Sequence, residues 1–309
     1  MHPTRRAVLA SSAAAPVGLL AACGSPSKAA VPSKAPSSTP ARTAAPAAAS
    51  LQPLESRHGV RLGVYAIDTG TKREVAYRAD ERFAYASTFK ALAAAMVVRK
   101  VGLPGLGRRV PIAQSDIVDN SPVTGKHVGG DMALREIIDA ALRFSDNTAG
   151  NKLLAELGGP TGFGRTLQTT LGDQVTRPTR WETDLNSGAP GDLRDTSTPR
   201  QLAVDLRAVL LDSALPRPEQ ALLRDVMWRN TTGDKTIRAG VPHGWPVADK
   251  TGSASYGRRN DIAVIWPPNR SPVVLSVLTA RDKADAPTVD AAVADATKAV
   301  LRALGVAPS

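Results

Sequence analysis

The chain has 309 residues, of which 42% are hydrophobic and 22% charged, so it carries enough apolar material for a sizeable core. Its formal net charge is +11, but residues 1–50 hold five basic and no acidic residues, so residues 51–309 carry only +6. Because that remainder is interspersed with acidic residues, it predicts a solvated basic surface and no nucleic-acid partner.

The first 23 residues have the features of an export signal. Arg5 and Arg6 open a basic segment, an apolar stretch follows over residues 7–20, and Leu20-Ala21-Ala22-Cys23 comes next. The apolar stretch is too short for an ordinary spanning helix. The pattern resembles a bacterial lipoprotein signal with a twin-arginine start. This resemblance implies an exported protein, held at the outer face of the cell membrane by a lipid on Cys23.

Residues 24–50 form a segment of Ala, Pro, Ser and Thr with scattered Lys and no periodicity. Such a segment cannot bury a core, and we expect a disordered linker. The folded domain is then predicted over residues 51–309.

Strand and helix patterns alternate unevenly along the folded domain. β-branched, partly buried patterns predict strands at 60–68, 73–78, 246–249, 261–266 and 272–279. Helical spacing of apolar residues predicts helices at 51–58, 91–98, 134–142, 148–157, 198–211 and 288–304.

Strands at both ends of the domain enclose a helical middle. This arrangement predicts a mixed α/β (α+β) fold with an antiparallel sheet lobe, built from residues 51–80 and 226–309 with flanking helices. Residues 81–225 would form an inserted all-helical lobe. The cleft between the two lobes is the expected place for a site.

The segment Ser87-Thr88-Phe89-Lys90 starts the helix predicted at 91–98. Residues three apart share a helix face, so the Lys90 amine can reach the Ser87 hydroxyl. A hydroxyl becomes a good nucleophile when a neighbouring base takes its proton, and a lysine of lowered pKa can do that. The tetrapeptide alone is also compatible with a serine cap beside a surface lysine.

Two further motifs follow it, Ser145-Asp146-Asn147 and then Lys250-Thr251-Gly252 at the end of a predicted strand. The order S-x-x-K, S-D-N, K-T-G resembles that of the serine β-lactamases and penicillin-binding proteins. The resemblance covers residues 51–304.

Residues 180–186, Arg-Trp-Glu-Thr-Asp-Leu-Asn, narrow the resemblance to the class A β-lactamases. In that class the glutamate and asparagine of this loop hold the hydrolytic water, which assigns those roles to Glu182 and Asn186. Arg180 and Asp195 resemble the ion pair that closes the loop. A hydrolase must activate water, and a carboxylate beside the ester can act as the general base.

The resemblance also implies the catalytic roles. Ser87 would attack the lactam carbonyl, and Ser145 would pass a proton to the departing ring nitrogen. Lys90 and Glu182 would share the base work, and which of them drives acylation stays open. The backbone N–H groups of Ser87 and Ser253 would form the oxyanion hole.

Substrate-binding residues follow from the same resemblance. Asn147 would hold the side-chain amide of the substrate. The Lys250-Thr251-Gly252 strand would hold its carboxylate, with Arg259 as a second cation.

The expected activity is hydrolysis of penicillin- and cephalosporin-type antibiotics through an acyl-serine intermediate, by a monomer that needs no cofactor. The four histidines (His2, His58, His127 and His243) are scattered singly, and with one cysteine in the chain no metal site is expected. Two alternatives share Ser87, Lys90, Ser145 and Lys250: a D,D-transpeptidase or carboxypeptidase of peptidoglycan, and a β-lactam sensor that does not hydrolyse. Neither needs Glu182.

Overall fold

An antiparallel sheet takes its strands from both ends of the folded chain. The computed structural model describes residues 44–307. Its strands in that range are β1 (Arg61–Asp68), β2 (Glu74–Tyr77), β3 (Phe83–Ala84), β4 (Arg109–Pro111), β5 (Asp131–Ala133), β6 (Thr196–Ser197), β7 (Val247–Ala254), β8 (Arg258–Ile265) and β9 (Val273–Ala280). The main sheet has the order β2-β1-β9-β8-β7, and every neighbouring pair is antiparallel. The predicted fold class is confirmed.

Helices cover both faces of this sheet and fill the middle of the chain. They are α1 (Ala44–His58), α2 (Phe89–Gly105), α3 (Leu134–Arg143), α4 (Asn147–Glu156), α5 (Gly159–Leu171), α6 (Pro199–Leu210), α7 (Arg217–Trp228), α8 (Ile237–Gly240) and α9 (Asp290–Leu304). Helices α1 and α9 pack together on one face, and α6 packs against β1, β8 and β9 on the other. Strands β1 and β9 are therefore buried along nearly their whole length.

Helix α2 is the centre of the helical part. Every residue from Phe89 to Val98 is buried, and the helix contacts α3, α4, α5, α6 and α7. Its run of alanines lets these neighbours approach closely, because a methyl side chain takes little space. The turn that precedes α2 contacts α2 itself and strands β7 and β8.

The start of the fold differs from the prediction. Helix α1 begins at Ala44 rather than at residue 51, so residues 44–50, which we assigned to the linker, are helical. Alanine is the best helix former, and Pro46 is tolerated because it lies in the first turn. Leu51 and Leu54 then anchor the helix in the core beneath the sheet.

Two other predictions changed in the structure. Strand β7 continues to Ala254, so Lys250, Thr251 and Gly252 lie inside a strand and not at its end. Helices α5 and α7 were not predicted. The predicted signal peptide with Cys23, and linker residues 24–43, lie outside the described residues. Of the helices within residues 44–307, none combines the length and apolar character needed to cross a membrane.

Candidate active site

Ser87 lies in a single 3₁₀ turn, Ala86–Thr88, that leads directly into α2. Ala86 adopts a φ of 47°, which is uncommon for a residue with a side chain and indicates a tightly held turn. The Thr88 hydroxyl donates a hydrogen bond of 2.7 Å to the Tyr85 carbonyl. Ser87 is 6% exposed, so its hydroxyl is fixed but not sealed off.

Ser87, Lys90 and Glu182 form a triangle of short contacts. Lys90 Nζ donates to Ser87 Oγ at 2.9 Å, and Ser87 Oγ donates to Glu182 Oε1 at 3.2 Å. Lys90 Nζ and Glu182 Oε1 are 2.9 Å apart, and both side chains are fully buried. The serine hydroxyl thus contacts Glu182, which can receive its proton directly, and Lys90, which can receive it once the ammonium has lost a proton.

Lys90 is held by two more acceptors. Its Nζ donates to the Ser145 carbonyl at 2.8 Å and to Asn147 Oδ1 at 2.7 Å. Burial lowers the pKa of Lys90, while the Glu182 carboxylate acts in the opposite direction. A buried lysine of lowered pKa is suited to exchange a proton with the serine beside it.

Asn147, at the start of α4, is engaged at both ends of its amide. Besides accepting from Lys90, it donates through Nδ2 to the Asp119 carbonyl at 2.9 Å. An amide nitrogen carries two hydrogens, so one remains for a further acceptor. Asn147 is 7% exposed, so the residue is not completely sealed from the surface of the site.

The loop that carries Glu182 is fastened from α4. Asn151 Oδ1 accepts from the Glu182 backbone nitrogen at 2.8 Å, and Asn151 Nδ2 donates to the Glu182 carbonyl at 2.9 Å. Asn186 Nδ2 donates to Glu182 Oε2 at 2.6 Å. The two asparagines hold both the backbone and the carboxylate of Glu182. Asn151 was missed in the sequence, although it lies one helical turn after Asn147 and so faces the same side of α4.

The predicted pair of Arg180 and Asp195 closes the same loop. Arg180 Nε donates to Asp195 Oδ2 at 2.5 Å. Asp195 Oδ1 accepts from the backbone nitrogens of Thr179 and Arg180 at 2.8 and 3.0 Å and from the Tyr85 hydroxyl at 3.1 Å. Asp195 is fully buried, and Tyr85 comes two residues before Ser87, so one carboxylate joins the loop to the serine turn.

Lys250 approaches the site from strand β7. Its Nζ donates to Ser145 Oγ at 3.1 Å and to the Thr251 carbonyl at 2.8 Å. Burial and the nearby Lys90 charge lower the pKa of Lys250 to about 7. The Thr251 hydroxyl lies 2.5 Å from the hydroxyl of Thr232, a contact that the sequence did not predict. This edge of the site presents hydroxyl groups and a cation.

Gly252 lets strand β7 approach the serine turn. A Cβ at this position would lie 3.0 Å from the Ser87 backbone nitrogen and 3.1 Å from that of Thr88. The Ser87 nitrogen is therefore next to the strand that also carries Ser253. In this way the structure brings together the two predicted oxyanion-hole residues.

Arg259 lies across from Ser253 on strand β8. Its Nη1 donates to Ser253 Oγ at 3.1 Å, and its Nη2 donates to the Thr232 carbonyl at 3.0 Å. Its Nε donates to Asp290 at 2.5 Å, which fixes the guanidinium in place. The second predicted cation thus lies beside β7, next to Ser253.

The structure joins all the predicted catalytic and substrate-binding residues, whereas Cys23 lies outside the described range. Within residues 44–307, no three His, Cys, Asp or Glu side chains are grouped so that they could hold a metal ion. The arrangement offers a hydroxyl nucleophile, proton acceptors, and cations placed for an anionic substrate. This set of groups can perform acyl transfer.

Comparison with known proteins agrees with this chemistry. A family model described as "Beta-lactamase enzyme family" matches residues 46–304. A β-lactamase of Amycolatopsis lactamdurans is 55% identical over 252 residues, covering 82% of this chain and 83% of that protein. A β-lactamase of Bacillus subtilis is 52% identical over 81% of this chain and 82% of its own length.

A crystal structure of the class A β-lactamase from Clostridium kluyveri matches with a TM-score of 0.82 and 47% identity, covering 84% of this chain and 98% of that one. The chain therefore belongs to the β-lactamase enzyme family, as a class A enzyme that hydrolyses β-lactams.

Proposed function

We propose that the enzyme opens penicillin- and cephalosporin-type β-lactams through an ester on Ser87 and that Glu182 drives the hydrolysis of this ester. The observation that carries the proposal is the contact of Ser87 Oγ with both Lys90 Nζ and Glu182 Oε1. A site meant only for acylation needs the first contact, whereas one that also activates water needs a carboxylate beside the ester.

In the acylation step, Ser87 Oγ bonds to the lactam carbonyl carbon, and its proton passes to Lys90 or Glu182. The carbon–nitrogen bond of the ring then breaks, and Ser145 delivers its proton to the departing nitrogen. The protonated base returns a proton to Ser145, so the proton that leaves Ser87 is balanced by the one gained by the nitrogen. Lys250 supports this delivery because its Nζ donates to Ser145 Oγ. The Ser87 and Ser253 N–H groups stabilise the carbonyl oxygen while it carries negative charge.

In the deacylation step, Glu182 takes a proton from a water molecule, and the water oxygen bonds to the ester carbon. The ester bond to Ser87 Oγ breaks, and the hydroxyl regains a proton. Asn186 donates to Glu182 Oε2, which keeps the carboxylate orientated for this step. The proton that Ser87 regains is the one that Glu182 took from the water, so the site returns to its starting protonation state only after both steps.

Substrate recognition is proposed to rest on charge and amide contacts. Penicillins and cephalosporins carry a carboxylate on the carbon attached to the ring nitrogen. Lys250, Thr251 and Arg259 supply two cations and a hydroxyl for that group. The free amide hydrogen of Asn147 suits the acylamino side chain that both classes share. Because these residues all come from one chain, we propose that the enzyme acts as a monomer.

The test uses the full chain with a chromogenic cephalosporin and a penicillin, following turnover together with intact mass. The wild type should turn over many equivalents. Glu182→Gln, which keeps the side-chain shape, should still acylate but release product about 10²–10⁴-fold more slowly, so that an adduct accumulates. Ser87→Ala should form no adduct. Glu74→Gln, a matched change on β2, should behave as the wild type.

A single stoichiometric burst from the wild type would overturn the hydrolytic mechanism and favour the sensor or the transpeptidase. If Glu182→Gln deacylated as fast as the wild type, Glu182 would not be the general base of deacylation, even if the enzyme hydrolyses β-lactams.

We also propose that the mature protein is exported and held at the membrane by a lipid on Cys23. The support is the Leu20-Ala21-Ala22-Cys23 sequence after Arg5 and Arg6. Expression of the full chain in a bacterial host should place it in the membrane fraction, and Cys23→Ser should release it. Ser25→Ala serves as the neighbouring control. Unchanged membrane retention of Cys23→Ser would refute the anchor.

A further inference from the structure

A second cavity lies behind the loop that carries Glu182, between the last residues of that loop and the sheet. Its volume is about 100 Å³. Five arginines line it: Arg61, Arg82, Arg194, Arg258 and Arg281. The lining holds two carboxylates, so the formal charge of the cavity is strongly positive.

Two of these arginines are neutralised by carboxylates. Arg61 pairs with Glu81 at 2.6 Å, and Arg194 pairs with Asp192 at 2.9 Å. The Arg194 guanidinium lowers the pKa of Asp192 to about 2, so this carboxylate is ionised and already engaged. Asp282, the other acidic lining residue, is exposed at the rim.

The other three arginines contact only neutral oxygens within residues 44–307. Arg82 Nη1 donates to Thr196 Oγ1 at 3.0 Å. Arg281 donates to two backbone carbonyls, and Arg258 Nη2 donates to the Gly188 carbonyl at 2.5 Å. Three cations thus meet at the cavity without a hydrogen bond to a carboxylate in the described part of the chain, although the charges of Asp173 and Asp192 act on Arg82 and Arg258 respectively.

Arg258 is the most deeply buried of these three arginines. It is 5% exposed, its guanidinium lies 5.0 Å from the Tyr256 ring centroid, and its Nη1 has no hydrogen-bond partner in the described part of the chain. Burial and the nearby Arg180 charge lower its pKa. A buried cation without a hydrogen-bonded counter-charge is costly. The one lining carboxylate whose charge acts on Arg258 is Asp192, which is already paired with Arg194.

We propose that this cavity binds one small inorganic oxyanion, phosphate or sulfate, with Arg258 and Arg82 as its main ligands. Guanidinium groups bind such anions through paired, charge-assisted hydrogen bonds. The volume fits a single tetrahedral oxyanion. It is too small for a β-lactam, because pockets for ligands of that size usually measure about 300–1,000 Å³.

Binding there would join parts of the chain that lie far apart in sequence. Gly188 and Arg194 belong to the loop of Glu182, Arg258 begins β8, and Arg82 precedes β3. An anion shared by these groups cross-links the loop to the sheet. It should therefore raise the melting temperature, since it binds the folded chain only.

The test is a calorimetric titration of the full chain with inorganic phosphate and then sulfate, at an ionic strength held constant with chloride. We expect saturable binding of one equivalent and a rise in melting temperature that saturates with it. Arg82→Gln and Arg258→Gln should each weaken binding by about tenfold or more. Arg135→Gln, which removes the same charge from an exposed position on α3, should bind as the wild type.

The alternative binding site for such an anion is the active site, at the Lys250 and Arg259 cations. Phosphate bound there would raise KM for a carboxylate-bearing β-lactam and leave kcat unchanged, and it would bind equally well to Arg82→Gln and Arg258→Gln. That result, or the absence of saturable binding, would overturn the proposal. Because Arg82 is half-buried and donates no hydrogen bond to a carboxylate within the described range, Arg82→Gln gives a readout even if Arg258→Gln does not fold.

Discussion

Asp195→Asn tests how firmly the loop of Glu182 must be held. The wild-type carboxylate accepts three hydrogen bonds at Oδ1, from Thr179, Arg180 and Tyr85, and one at Oδ2 from Arg180 Nε. Asparagine keeps the shape and the Oδ1 contacts. Its amide nitrogen cannot accept from the guanidinium, so the substitution removes one ion pair and little else.

The structure sets the size of the effect. Removing one partner of a buried ion pair costs about 3–5 kcal/mol. The Arg180 side chain is 17% exposed and lies 3.6 Å from Asp192, so part of its charge stays compensated. We therefore expect a loss of about 2–3 kcal/mol, the range for a charge-assisted hydrogen bond. In a domain of this size that corresponds to a fall in Tm of about 5–10 °C.

Turnover should fall as well, by about tenfold or more, because a displaced Glu182 activates water poorly. Calorimetry and steady-state kinetics of Asp195→Asn measure both effects, with Asp184→Asn as a control from an exposed position of the same loop. If Asp195→Asn melted at the wild-type temperature, the ion pair would not hold the loop. If it melted early but kept full turnover, the loop would not need to be held for catalysis.

Three further predictions concern other parts of the structure. Gly252→Ala should lower kcat/KM about tenfold, because its Cβ would lie 3.0 Å from the Ser87 nitrogen and displace the serine turn. The activity of the wild type on carboxylate-bearing substrates should decline as pH rises through about 7, where the Lys250 ammonium loses its proton. Lys250→Arg should move that decline to higher pH. Asp205→Asn should raise stability at alkaline pH, because burial and the neighbouring Asp173 raise the pKa of Asp205 to about 9.

The sign of the Asp205 effect follows from proton linkage. Between the ordinary value of 3.8 and about 9, the folded state holds a proton that the unfolded state has lost, so stability falls as pH rises. The fall is at most about 1.4 kcal/mol per pH unit. Asparagine imitates the protonated acid and removes this dependence, which urea unfolding at several pH values would measure. A parallel pH dependence in Asp205→Asn would refute the assignment. If the activity of Lys250→Arg declined at the same alkaline pH as that of the wild type, the role given to the Lys250 ammonium would be refuted. If kcat/KM of Gly252→Ala equalled that of the wild type, the need for a glycine beside the serine turn would be refuted.

Local patterns predicted the parts of the molecule whose structure is decided locally. The apolar run after Lys90 is the buried helix α2, and the i, i+3 spacing of Ser87 and Lys90 does bring their side chains to 2.9 Å. The β-branched run at 272–279 is strand β9 with a shift of one residue. Motif order then identified the groups that surround Ser87.

Other features depend on contacts between distant segments, and no local pattern predicts them. Asn151 holds the backbone of Glu182, which is 31 residues away in sequence. Helix α5 begins with glycines that resemble helix breakers. Gly158 and Gly159 instead supply the positive φ of the tight turn after α4, and Gly162 leaves room for the Leu157 carbonyl, which a Cβ would approach to 2.0 Å.

The position of β9 between β1 and β8 has a consequence for synthesis of the protein. Every residue proposed to act on the substrate precedes this strand, since Arg259 is the last of them. A nascent chain that ends before residue 273 therefore contains the complete chemistry, but its β1 and β8 lack the partner that lies between them. Truncation there should abolish resistance without removing a single reactive group. We therefore expect only chains whose translation has passed strand β9 to destroy the antibiotic.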